Sequence, residues 1–132
     1  MGVHVKAFEW TDPDWDPKVS GMFEMVDDQP TIHYNSADGQ NRIRFTIAHE
    51  LGHYVLKHGK RFRDTSAMFA GGTYDPYEVA ANRFAAELLM PVYPVKVLLE
   101  DHGITSISQL ALAFQVSEPA MTYRLKNLGY LR

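Results

Sequence analysis

His49, Glu50, Leu51, Gly52 and His53 form an H-E-x-x-H pattern, and no other stretch of the chain constrains its fold as tightly. Residues four apart sit about one turn from each other on the same face of an α-helix. On a helix, two imidazoles at that spacing can share one Zn²⁺, while the intervening glutamate points at a metal-bound water. The flanks suit a helix over about residues 40–58, with the run Arg44–Ala48 leading in and Tyr54–His58 leading out. Ile43, Ile47, Leu51 and Val55 recur every four residues and are expected to face the core, with His49 and His53 on a different side. Gly52 costs about 1 kcal/mol relative to alanine in mid-helix, so it is expected to admit a closely packed neighbour.

With 132 residues the chain suits one domain, 1–132, built on one core. Its 45% hydrophobic content is that of a folded protein, and its formal charge of −3 gives no general attraction to nucleic acid or anionic membranes. No apolar run approaches the roughly 20 residues a membrane helix needs, and the start, MGVHVKAFEW, lacks the features of a signal peptide. These observations predict a soluble, cytoplasmic protein with no membrane partner. Without cysteine, any metal must be held by histidines and carboxylates.

Residues 3–10 and 20–35 read as strands, linked by the turn-rich run Thr11–Pro17, with a hairpin turn at Asp27–Pro30. Residues 59–75 read as an irregular link, with Lys60, Arg61 and Arg63 making it a candidate lid or substrate strand. Asp75, Pro76 and Glu78 announce the next helix by an acidic cap, a proline at the first position and a capping-box glutamate; Pro91 ends it. A short helix follows over Pro94–His102, and 106–114 and 117–128 form a final helical pair. Strands followed by helices predict an α+β fold: a small antiparallel sheet of about three strands packed on a helical bundle, zincin-like, with the motif on the central helix.

A catalytic zinc takes three protein ligands and leaves a fourth position open. His49 and His53 are two of them. Glu78 is the leading third, with Glu87 behind it, although a capping-box glutamate needs no metal to explain it. Asn82, one turn beyond Glu78, is a candidate to hydrogen-bond a ligand from outside or is a polar residue on a solvated face. Glu50 is free to act as general base, taking a proton from the zinc-bound water and passing it to the leaving amine. Candidates to stabilise the oxyanion are Tyr123 first, then Tyr54, Tyr74, Tyr77 and His33; His58, five after His53, is expected off the ligand face.

Two long runs carry a resemblance: Arg44–His53 (RFTIAHELGH) and Glu78–Pro91 (EVAANRFAAELLMP). Together with the tail pattern from Leu110 to Ser117, Ala120 and the run Tyr123–Gly129, they resemble the ImmA/IrrE family of zinc metallopeptidases over roughly residues 30–130. The resemblance implies one zinc per chain held by His49, His53 and Glu78, with Glu50 catalytic, in a minimal peptidase domain. It also implies a regulatory endopeptidase whose partner is a helix-turn-helix repressor or antitoxin-like protein, in a mobile element or a stress response.

Two other readings stand beside it. Residues 106–129 scan as a helix-turn-helix, which would make the chain a DNA-binding regulator. Glu118 and Pro119 at the start of the would-be recognition helix, few basic residues and a negative net charge argue against direct DNA contact. The other alternative is a zinc-binding protein that grips a partner without cutting it.

Overall fold

The computed structural model describes residues 2–8, 19–59, 61–65, 68–69 and 73–132. Three strands precede the first helix, as expected of this α+β chain, but a fourth follows it, and the sheet differs from the expected one. It has four strands, β1 (His4–Phe8), β2 (Val19–Val26), β3 (Gln29–Asn35) and β4 (Arg61–Thr65), in the order β1-β3-β2-β4. β2 and β3 form the expected hairpin, turning at Asp27 and Asp28, both in the left-handed region that a tight two-residue turn uses. The hairpin leaves a free edge on β3, which β1 joins in parallel, so the sheet is mixed rather than antiparallel. β4 pairs with the opposite edge and falls inside the stretch expected to be irregular. The last residues of the expected first strand, Glu9 and Trp10, the Thr11–Pro17 connector and Lys60 lie outside the described residues.

α1 (Gln40–Val55) carries the motif and touches the sheet on one side and α2 (Pro76–Leu89) on the other. Two glycines permit this. A Cβ on Gly21 of β2 would lie 2.3 Å from Thr46 Cγ2 and 3.2 Å from Glu50 Oε2, so the strand reaches the helix only because that carbon is missing. A Cβ on Gly52 would meet Phe84 and the Ala81 backbone at 3.1–3.2 Å, which is the close approach expected of it. The expected apolar stripe is not the buried face: Ile43, Ile47 and Leu51 are half-buried and Val55 is exposed. Held between two elements, α1 instead buries Phe45, Thr46, Ala48, His49, Glu50, Gly52 and His53.

α2 starts as expected: the Asp75 side chain accepts from the Tyr77 amide at 2.9 Å, and Pro76 opens the first turn. α3 (Val92–Lys96) runs on as a π-helical turn over Val97–Asp101, starting two residues earlier than expected. α4 (Ile107–Phe114) and α5 (Glu118–Asn127) are capped by Ser106 and Ser117 and joined through Gln115, whose φ of 56° reverses the chain. This pair closes the core: Leu110, Val116, Met121 and Leu125 pack with Phe45 and Ala48 of α1 and Ala85 and Met90 of the α2 end. The Arg124 guanidinium donates to the Met90 carbonyl at 2.9 Å, and Asn41 of α1 donates to the Val116 carbonyl. No described helix is long and apolar enough to cross a membrane.

Candidate metal centre

Helical spacing puts His49 and His53 on the side of α1 that meets α2 and β4, and both rings are fully buried. Glu78, in the first turn of α2, turns toward them rather than back to the helix cap. Its Oε2 lies 2.9 Å from His49 Nε2 and its Oε1 2.9 Å from His53 Nε2. The expected capping box is therefore absent: the Asp75 amide donates to Thr73 Oγ1, leaving the Glu78 carboxylate to the histidines.

A fourth member comes from β4, where sequence reasoning expected no ligand. Asp64 Oδ2 lies 3.3 Å from His49 Nε2 and 3.2 Å from His53 Nε2. His49, His53, Asp64 and Glu78 each offer one ligand atom, and those atoms lie within 4.8 Å of one another. In register Asp64 stands opposite Gly21, the glycine that abuts Glu50, so β2, β4 and α1 converge at one point.

The far side of each imidazole is occupied too. Asn82 donates through Nδ2 to the Met68 carbonyl at 2.7 Å, which leaves its Oδ1 as the acceptor 2.8 Å from His49 Nδ1. His49 therefore carries its proton on Nδ1 and turns the Nε2 lone pair inward. His53 Nδ1 lies 2.9 Å from His58 Nδ1, so one of the two donates to the other. His58 was expected off the ligand face. It is not among the ligand-offering residues, but it backs one of them: Lys57, in the left-handed region (φ 58°), folds the chain over at the end of α1, and the His58 ring lies tilted against Tyr77. Burial, with His53 next, holds the His58 imidazole below its ordinary range, which keeps it neutral and able to accept.

These groups call for positive charge at their centre, as a metal ion or as protons on the imidazoles. Two inward lone pairs and two carboxylates face one another out of water. Without a metal, protons do the work: burial alone lowers the imidazoles, but Asp64 and Glu78 more than reverse it, raising His49 and bringing His53 to about 9. Burial pushes the Asp64 carboxyl up, and the two histidines hold it well below the usual carboxylate range. Glu50 is buried beside them, and burial, followed by Asp64 as hydrogen-bonding neighbour and then as charge, drives its pKa well above the ordinary value. Hard-to-borderline nitrogen and oxygen donors without sulfur suit Zn²⁺ among the common catalytic metals. Phe45 and Phe69 wall the site around His49.

Other expected residues lie elsewhere. Glu87 is exposed and outside the ligand group, and its charge acts on Arg124. Tyr123 is a third exposed and lines a groove of about 550 Å³ between α2 and α5, together with Asn82, Arg83 and Arg124. Tyr74 is fully exposed, Tyr54 packs on Phe23, and His33 pairs with Glu24 at 3.7 Å.

Comparison with known proteins adds a family. The pattern of the IrrE N-terminal-like domain, a peptidase family, matches residues 9–126. The chain is 31% identical over 130 residues to the radiation response metalloprotease IrrE of Deinococcus radiodurans, covering 94% of this chain and 37% of that protein. It is 30% identical over 117 residues to immunity region protein 2 of Bacillus phage phi105, covering 87% of this chain and 70% of that protein.

Proposed function

Since the chain belongs to the IrrE N-terminal-like peptidase family, we propose that it is a zinc-dependent endopeptidase of zincin-like design, built on the motif helix α1. One observation carries this reading: the inward Nε2 atoms of His49 and His53 and the Glu78 carboxylate converge in a buried site with Glu50 beside it. When bound there, zinc lowers the pKa of water to around 7 and polarises the scissile carbonyl. Glu50 takes the proton from the attacking water and hands it to the departing amine. Asn82 and His58 orient the two imidazoles from behind. β4 pairs only with β2 among the described residues, and its other edge offers an extended peptide a strand to lie along.

The substrate we favour is a helix-turn-helix repressor or antitoxin-like protein in the cytoplasm, a choice supported by the phage relative's place in an immunity region. Zinc content near one per chain, with Glu50→Gln keeping the metal and losing cleavage of a co-expressed repressor, is the result expected. A folded chain that takes no zinc, or a Glu50→Gln variant that still cuts, refutes it.

A second reading, a zinc protein that grips without cutting, gains support from Asp64, because four protein donors are the number a structural site uses. Direct DNA binding gains none, since Arg124, the arginine of the would-be recognition helix, is spent on the Met90 carbonyl.

A further inference from the structure

The peptidase reading asks for three protein ligands and an open fourth position. The geometry points to a different resting state, in which Asp64 is itself a metal ligand and fills that position.

Three observations carry this. Ligands on a tetrahedral zinc with bonds of about 2.0–2.1 Å stand about 3.3 Å apart, and Asp64 Oδ2 stands 3.3 Å and 3.2 Å from the two histidine nitrogens. That oxygen meets neither nitrogen in a well-formed hydrogen bond, although Asp64 is 1% exposed, so a buried carboxylate oxygen is aimed into the site at ligand spacing, where only protons on the imidazoles or a metal can answer its charge. Finally, every donor is buried, Glu50 included, which is the condition of a closed centre rather than one presenting a water to a peptide.

The element that delivers Asp64 can also withdraw it. β4 is five residues long, pairs with β2 alone among the described residues, and its ladder is already irregular between Val19 and Gly21. An edge strand of this kind moves at less cost than a central one. Asp64 thus acts as a removable plug: ligating, it holds the site shut, and displaced with β4, it yields its position to water and substrate. The inference rests on the peptidase reading of the same site and adds a latent state to it.

The test uses the full chain loaded with Co²⁺, whose visible absorption reports ligand number, and azide as a small probe for an open position. Asp64→Ala and the isosteric Asp64→Asn are compared with the wild type, their folding checked by circular dichroism; should the alanine variant not fold, the asparagine variant decides. Expected are a wild-type spectrum needing at least tenfold more azide to change than either variant, and zinc affinity at least tenfold weaker in the variants. Wild type and variants taking up azide alike would show the fourth position open and overturn the plug. The two readings fail separately. A Glu50→Gln variant that still cuts brings down the peptidase and leaves the azide result standing; azide uptake by the wild type does the reverse. A chain that holds no Co²⁺ brings down both.

Discussion

His53 and His58 face each other through their Nδ1 atoms at 2.9 Å, so a residue beyond the end of the motif helix fixes the tautomer of a residue within it. His53 can present an Nε2 lone pair to a metal only while His58 stays neutral and accepts its proton. His58→Ala is therefore expected to weaken zinc binding by roughly 10–100-fold, the usual effect of losing such a partner. Competition with a chelating dye measures it; unchanged affinity would refute the role.

Glu50 is fully buried with two other carboxylates, Asp64 and Glu78, for neighbours, a costly state that the fold tolerates for its chemistry. Its raised pKa means that ionising it opposes folding, increasingly so above the ordinary carboxylate range. Glu50→Gln should stabilise the metal-free chain by about 1–3 kcal/mol near pH 8 and by less near pH 4.5. Thermal unfolding at the two pH values checks this, and a variant that is no more stable at pH 8 contradicts it.

The metal-free chain should have its own pH profile. His53 is raised from 6.5 to about 9, so the stability it contributes is fully present below pH 6.5 and is lost as pH climbs through 9. Asp64 is depressed below 3.8, so its contribution is present above that value and lost as pH falls further. In chelator, stability should peak between about pH 4 and 6.5 and drop by about 1–3 kcal/mol on going to pH 9.5. Zinc, which replaces the protons, should abolish the alkaline drop. A flat profile in chelator would count against the proton-bridged site.

Asp75 and Glu78 are separated in function although both sit at the start of α2. Asp75 caps the helix, so Asp75→Ala should cost about 1 kcal/mol of stability and leave zinc affinity intact. Glu78→Ala should do the opposite, lowering affinity steeply with no cap lost. Isothermal titration together with unfolding curves separates them; Glu78→Ala behaving like a cap variant would remove it from the site.

Gly21→Ala places a carbon 2.3 Å from Thr46 Cγ2, in a fully buried contact with a stiff β-branched side chain. The expected cost is about 1–3 kcal/mol, relieved by adding Thr46→Ser, which removes the clashing methyl. Denaturant titration of the single and double variants decides; no relief would mean that Glu50 or the His33 carbonyl makes the limiting contact.

Much of this architecture was legible in the residues themselves, and what was not has physical causes. Asp75, Pro76 and Pro91 bracket α2 by local rules that packing did not override, and the helical pair expected over 106–114 and 117–128 starts where Ser106 and Ser117 cap α4 and α5. β4 was missed because RFRDT has no apolar run and is a strand only through its pairing with β2; Asp64 was missed with it. Periodicity showed one apolar face on α1 but not that a helix gripped from two sides buries other residues. His58 depended on one backbone angle, that of Lys57, and the direction of Glu78 on which neighbours came near. Neither is written in spacing.

The sheet edge, the motif helix and α2 each send a donor to the same point. An ion bound there would be a cross-link between segments far apart in the chain, closing the span from His49 to Glu78 as a disulfide closes a loop in a protein that has no cysteine. Loss of the metal would then be felt first as a loosening of the sheet's outer strand, so proteolysis of the chelated chain should begin near β4.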